Sequence, residues 1–597
     1  MSRTGRTMSS LVATLLLVSA CASHPLTEET LPAGTIAPPD LVRTAGAIVE
    51  FDACDDFLDY VISHAVDLVG PYGLDGGPIP WFGERAMAAD EATGGDKASS
   101  FSETNVQVEG VDEPDIVKTD GERIVVMASG DLIVVDVTGD EPFEVGRMAI
   151  DALSVQSLFL SGDRVLLFGS AWGHQPLPLA EPDRGFAPPQ TVTPALQIVE
   201  VDIAESPELV RTMTIDGSFV SGRMVDDSVR LILSSGPVGL EWSYPEGSGL
   251  RAERAALERN REIVRESTPE NWIPYYLVTE ADGEVSAEGQ LFDCDRAAHP
   301  DDFSGVDMLS VVTIDVDAGL EVVDTTGLLA RGDTVYSSEE SLYVATRNWQ
   351  SWLWQQTGDE RERPEGPSTD IHKFDVSDPT STTYLASGSV DGYLLNQFAM
   401  DEHDGMLRVA STTTPDWWGS GPDSQSRITI LREIGDSLVG IGRVEGLGKT
   451  EQIYAVRFMG DVGYVVTFRQ TDPLYAVDLS DPRSPEVVGE LKIPGYSAYL
   501  HPVGDGLLLG VGQDADDDGV VRGTQVSLFD VADLSDPVRL DTHTLGEGTN
   551  SSVEYTIMPS SIGRGWRSSL CSSGGGTGRA TTSSWVRSVS RSPTRGP

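Results

Sequence analysis

Three short stretches of this chain are near copies of one another: FDVSDP from Phe374 to Pro379, VDLSDP from Val477 to Pro482, and ADLSDP from Ala532 to Pro537. Each follows a run rich in β-formers and precedes another. A strand–turn unit that recurs at long period selects a repeat architecture before any single residue is read. Such a unit cannot bury its apolar face alone, so its copies must pack against each other in a ring or stack.

The period is counted by the acid that closes the last strand of each unit: Asp136, Asp202, Asp315, Asp375, Glu433, Asp478 and Asp530. Most intervals are 45 to 66 residues, enough for four strands with generous loops. The reading is an all-β fold, a β-propeller of seven four-stranded blades, with eight as the alternative and the strands at 116–136 closing the ring beside the last blade. The Asp202–Asp315 interval is nearly double the rest. Its excess, 238–306, carries a helical pattern from Arg251 to Glu266, a Trp272–Tyr276 segment and Cys294, and reads as an insertion in one blade. The propeller then spans 115–555.

Ahead of it the N-terminus gives an address. Arg3 and Arg6 precede an apolar run, Leu11 to Val18, too short to span a membrane permanently. Residues 1–20 read as a signal peptide, and Val18-Ser19-Ala20-Cys21 resembles the lipobox of bacterial lipoproteins, with Cys21 taking the lipid; an ordinary secretory signal beside a chance cysteine is the other reading. Residues 21–50 are a flexible tether rich in Pro, Thr and Ala. Asp52 to Val69 places apolar residues at three- and four-residue steps and predicts an amphipathic helix over 51–70. Residues 71–114 are a Gly- and Pro-rich linker and lead-in. Of the four cysteines, Cys21 is assigned and Cys571 lies in an anomalous tail, leaving Cys54 and Cys294. In an oxidising compartment these two form a disulfide, or else stay as separate buried thiols.

Formal net charge is −53. Phosphate contacts need Lys and Arg, so this charge excludes nucleic acid as a partner, and it leaves the lipid anchor as the route to the membrane. The expected partner is a protein or glycan at the cell envelope.

At 104–121 the residues become specific: TNVQVEGVDEPDIVKTDG. This stretch, with Ile371 to Asp375, Gly392 to Phe398, Met400 to Gly405 and Ser527 to Val531, resembles the motifs of a family of secreted prokaryotic proteins whose C-terminal β-propeller is distantly similar to WD-repeat proteins. The resemblance covers about residues 50–555. It implies a propeller outside the cytoplasm and brings no activity with it.

The chain changes character after Tyr555. Residues 556–597 contain no Asp, Glu or Lys, while six arginines sit among Ser, Gly and Thr. One reading is a natural basic, disordered tail. The other is a displaced reading frame. With one G restored before the codon for Thr556 and third bases free, Thr556 to Leu570 re-reads as DHHAFLYWPRVAVVP, an aromatic and β-branched strand pattern.

Candidate chemistry is sparse. Asp514, Asp516 and Asp518 begin a D-x-D-x-D-G loop that could converge on calcium, but Arg522 and Gln525 stand where later ligands belong; a solvated hairpin tip explains them equally. Trp349, Trp352 and Trp354 in one loop, and Trp417 and Trp418 in another, could stack on sugar rings or anchor a protein, or pack their own loops. Asp401-Glu402-His403-Asp404 holds acid–base groups that a polar hairpin turn accounts for as well. No HExxH, G-x-S-x-G, P-loop or dinucleotide fingerprint occurs. No cofactor beyond a structural calcium is expected. The chain reads as a non-enzymatic, lipid-anchored or secreted binding module, against an envelope hydrolase or lyase acting on glycan or peptide, or a calcium-dependent adhesion protein.

Overall fold

The structure, a computed structural model, describes residues 48–74, 106–150, 154–171, 194–347, 367–414, 424–468, 472–516 and 520–551, apart from Glu109, Ser248, Asp302 and Asp505. The fold is all-β. Its strands pair into consecutive four-stranded antiparallel meanders at 117–149, 154–216, 218–329, 332–391, 400–447, 452–493 and 496–544. A single parallel bridge, Ser387 to Ser437, joins the fourth and fifth into one sheet.

The acid markers sit one strand earlier than the sequence suggests. Asp136, Asp202, Asp315, Asp375, Asp478 and Asp530 end the third strand of their meanders, not the last, and Glu433 lies near the same point. Six of them cap the following turn, each accepting from the backbone N–H two residues on, as Asp375 does from Ser377 and Asp478 from Ser480, both at 2.9 Å. This is the local bond that makes Asp a turn former. The residue after the acid (Val137, Ile203, Val316, Val376, Leu479 or Val531) donates its N–H back to the turn between the first two strands. The strands at 116–136 accordingly open a meander of their own, with Asp136 as its marker.

The repeated turn is also a joint between meanders. The turn after Asp202 brings Pro207 against Gly146 on the fourth strand of the preceding meander, where a Cβ would lie 2.7 Å from the proline ring. The Pro482 carbonyl meets Gly442, and the Leu534 carbonyl with the Pro537 ring meets Gly489. Arg230 and Ser228 of the third meander donate to the carbonyls of Asp378 and Pro379 in the turn of the fourth. Side chains of successive meanders then fill the space between the sheets, as in the cluster of Ile430, Leu447, Val456, Val465 and Leu479.

The insertion leaves the third meander between its second and third strands. It holds helix α2 (Leu250–Arg265), two strands (Tyr275–Glu280 and Val285–Gln290) that extend the second meander, and Ala297–Pro300, which extends the third. Helix α1 (Cys54–Leu68) packs on it. Phe57, Val61 and Ala65, at i, i+4 and i+8, bury one stripe against Val264, Trp272, Ile273 and Phe292, while Asp55 and Asp56 favour its positive N-terminal end. Ile48–Glu50 adds an outer strand against Ala298–Pro300. A disulfide joins Cys54 to Cys294 across 240 residues of sequence.

Two measurements check this account. Gly489→Ala pushes a methyl into the Leu534 carbonyl, so it lowers stability by about 1–3 kcal/mol in urea unfolding; the same change at Gly139, where a Cβ would meet nothing closer than 3.7 Å, leaves the sixth–seventh joint untouched. Reduction of Cys54–Cys294 lowers the unfolding free energy by about 2–5 kcal/mol through a larger unfolded-state entropy, read as a lower melting temperature with dithiothreitol.

Candidate functional site

A buried carboxylate and a buried guanidinium, Glu113 and Arg223, meet where first strands of the meanders come together. The lead-in segment does not run free at its end. Asp112 pairs with Met224 on the third meander and Asp115 with Leu158 on the second, which drives Glu113 inward. From the other direction, the fifth meander has a first strand of only four residues, Met400–His403, and a short 3-10 turn, Gln397–Ala399, takes the place of its beginning. Asn396 caps that turn by accepting from the Phe398 N–H.

These two segments, some 280–290 positions apart, lock together. Gln397 Nε2 donates to Glu113 Oε1 at 2.8 Å, and Gln107 Nε2 donates to the carbonyls of Gln397 and Met400. Arg223, from the first strand of the third meander, lies 3.3 Å from Glu113 and donates to Gln397 Oε1 at 3.1 Å and to the Val335 carbonyl at 3.0 Å. Phe398 packs on Tyr499 of the seventh meander and under the guanidinium of Arg457 of the sixth. Burial pushes the Glu113 carboxyl up, against the pull of Arg223. Burial likewise raises Asp115 to about 6, and burial beside Arg457 lowers His501 to about 4. Lys118 bonds Asp112 at 2.5 Å beside a cavity of about 290 Å³ lined by Val106, Gly110, Asp120 and Asp226.

This arrangement is a plug. Glu113 and Arg223 are paired with each other, and its segments tie together the third to seventh meanders and the lead-in to the first. Sequence reasoning missed it: Glu113 is one of 94 acids, and Gln397 carries no charge. The signal was present only in the long motifs that contain them.

The residues singled out from sequence fall elsewhere. Cys54 and Cys294 are brought together by the disulfide. Asp514 is the next-to-last residue of the second strand of the seventh meander, and Asp516 lies in the hairpin beyond it, where its carboxylate takes Arg522 at 2.7 Å and the Val520 N–H at 3.0 Å. Among the described residues no group of three or more His, Cys, Asp or Glu gathers as a metal requires. Asp401 pairs with Arg408, Glu402 bonds Ser338 and faces Lys373, and His403 approaches Asp461, so this cluster is tied into neighbouring turns. Asp518, Cys21 and the tryptophans at 349, 352, 354, 417 and 418 lie outside the described residues.

The connections that hold the tryptophans share a place in the topology. The long connections at 172–194, 236–307, 348–367 and 414–424 all run between the second and third strands of a meander, as does the Asp514–Asp516 hairpin. In an antiparallel meander the 2–3 connection emerges at the opposite end from the 1–2 and 3–4 turns. Long, unlike connections therefore leave one end of the sheets, and short Asp-capped turns the other. Among the described residues no helix is long and apolar enough to cross a membrane.

A family described as beta propeller domain matches residues 101–558. An uncharacterised protein of Methanocaldococcus jannaschii is 50% identical over 162 residues, 27% of this chain and 24% of that protein. An uncharacterised protein of Archaeoglobus fulgidus is 28% identical over 561 residues, covering 86% of this chain and 83% of its own length.

Opening the plug has a defined expected outcome. Glu113→Ala strands Arg223 without a counter-charge and destabilises the chain by about 3–5 kcal/mol. The double replacement Glu113→Leu with Arg223→Met is less destabilised than Glu113→Ala, as judged by urea midpoints. Additive losses would show that the pair is not coupled.

Proposed function

Because this chain belongs to the beta propeller domain family, we propose that it is an extracytoplasmic binding or scaffold module of seven four-stranded blades, anchored at the cell envelope by a lipid on Cys21. The observation that carries this reading is the separation of the two ends of the sheets. At one end six turns share the same Asp cap, and those after Asp202, Asp375, Asp478 and Asp530 make joints between meanders. At the other, the strands lead into four connections of unlike length and composition, two of them with clustered tryptophans in their sequence. Such a surface suits recognition of an extended glycan or a protein, since tryptophan supplies a large apolar face with a polar edge.

The Cys54–Cys294 disulfide supports an oxidising compartment, and the acidic charge fits a soluble body held off an anionic membrane by its tether. A hydrolase or lyase with its site on the propeller axis would need the space that Glu113, Gln397, Phe398 and Arg223 occupy. A calcium-dependent adhesion role would need Asp516 to exchange Arg522 for the metal.

The test uses the purified protein on a glycan array and on immobilised envelope polypeptides, with and without calcium, beside a variant carrying Trp349→Ala, Trp352→Ala and Trp354→Ala. Saturable binding that falls by roughly tenfold or more in the variant is expected, the scale of a lost aromatic anchor. Turnover of a chromogenic glycoside or peptide panel would overturn the binding reading in favour of the enzyme.

A further inference from the structure

Seven lysine and arginine side chains are buried among the described residues. Six of them have an oxygen that answers the charge. Lys118 has Asp112, Arg223 has Glu113, Lys373 has Glu433, Arg408 has Asp401 and Arg427 has Asp391. Arg230 donates to the carbonyls of Asp378 and Ser381. The seventh, Arg457, is only 9% exposed and has neither kind of partner among the described residues, and its Nη1 is buried without an acceptor. The acids whose field reaches it, Glu113 and Asp401, are engaged by Arg223 and Arg408. A guanidinium buried in this state costs stability, because nothing offsets its desolvation.

The neighbours of Arg457 suit a planar anion. It lies on the first strand of the sixth meander, Gln452–Met459, with its guanidinium 5.4 Å from the centre of the Phe398 ring. Stacking of that kind restrains the plane of the fork. His501 lies on the first strand of the seventh meander, Tyr496–Gly504, where burial and then the charge of Arg457 keep its ring neutral. Its Nδ1 is 3.3 Å from the Tyr499 hydroxyl. With that hydroxyl as donor, the ring presents an Nε2–H that no described group accepts. Both strands run out into exposed residues, Gly460 after one and Val503 with Gly504 in the other. A small ligand therefore has a way in from the end that carries the 1–2 turns.

We propose that Arg457 and His501 seat the carboxylate of a small organic acid, beside the plug. A carboxylate meets the guanidinium fork with two parallel bonds, and the imidazole N–H offers a third. The occupant is small because Arg457 is almost closed off: one carboxyl group can reach it and a polymer chain cannot. The formal charge of −53 repels anions at long range, so recognition comes from short, directed bonds. The inference does not depend on the connections between second and third strands, so its failure leaves the binding proposal standing, and the reverse.

The experiment compares melting temperatures in sodium acetate, lactate or succinate with sodium chloride at equal ionic strength, since a ligand of the folded chain raises them. At least one of the three acids is expected to give a saturable rise over chloride. Arg457→Lys keeps the charge and loses the fork, so it is expected to weaken that acid by roughly tenfold or more. In chloride alone, Arg457→Met is expected to melt no lower than the unsubstituted chain, because it removes an unanswered buried charge. No rise beyond that in chloride would show an adventitious ion only and overturn the proposal, as would a rise that survives Arg457→Lys unchanged. A loss with Arg457→Met as large as that with Glu113→Ala would overturn it by making the guanidinium a structural counter-charge to Glu113 and Asp401. Stabilisation by a peptide with a free C-terminus but not by its amide, with the three acids silent, would overturn it in favour of a polypeptide.

Discussion

A four-stranded meander with apolar side chains on both faces exposes two surfaces that only another sheet can cover. That constraint governs the rest of this structure. It explains why middle strands such as Ser341–Thr346 and Leu407–Thr412 are buried without alternation, and why the Asp cap of the turn between third and fourth strands recurs. The turn must reach the preceding sheet, and it does so through Pro207, Pro482 or Pro537, close enough that the receiving strand carries Gly146, Gly442 or Gly489. Asp at the start of the turn holds its shape locally, so each joint is built before the sheets meet. Stacking supplies the energy and the turns supply the register.

The centre imposes a second condition. First strands converge there, and their backbone would face a water-filled axis if nothing filled it. The chain fills it from two distant places, the lead-in through Glu113 and the shortened fifth meander through Gln397 and Phe398. Burying Glu113 and Arg223 is expensive, and their attraction does little more than offset the desolvation. What the pair demands is geometry: Gln397 must present its amide nitrogen to one and its amide oxygen to the other, and only one seating of the fifth meander allows that. The helix α1, the insertion and the Cys54–Cys294 bond do similar work at the rim, where residues 240 positions apart become covalent neighbours.

How much of this was legible follows from which residues are forced. The acid markers could be counted because an Asp-capped turn needs its acid and the interval is long. Their phase could not, because strand texture is the same in the third and fourth strands; the error moved every marker by one strand and turned 116–136 into a closing piece. The disulfide could be read because only two cysteines remained once Cys21 and Cys571 were set aside. The plug could not, since nothing separates Glu113 from 93 other acids before the lead-in is folded inward. The candidate calcium loop is described only in part: Arg522 pairs with Asp516 from within the same hairpin, and Asp518 lies outside the described residues.

This division of labour bears on what similarity to other propellers of the family can mean. The long motifs at 104–121 and 392–405 are the segments that meet at the axis, and the S-D-P turns are joints. Both are occupied by the demands of folding. A relative that matches them shares an architecture, and the match carries no information about a ligand. Freedom to change lies in the connections between second and third strands at 172–194, 348–367 and 414–424, which differ in length and composition from meander to meander. If recognition evolved on this fold, those connections are where sequence could diverge without loosening a sheet. Two chains of this family could therefore be alike through most of their length and bind unrelated partners.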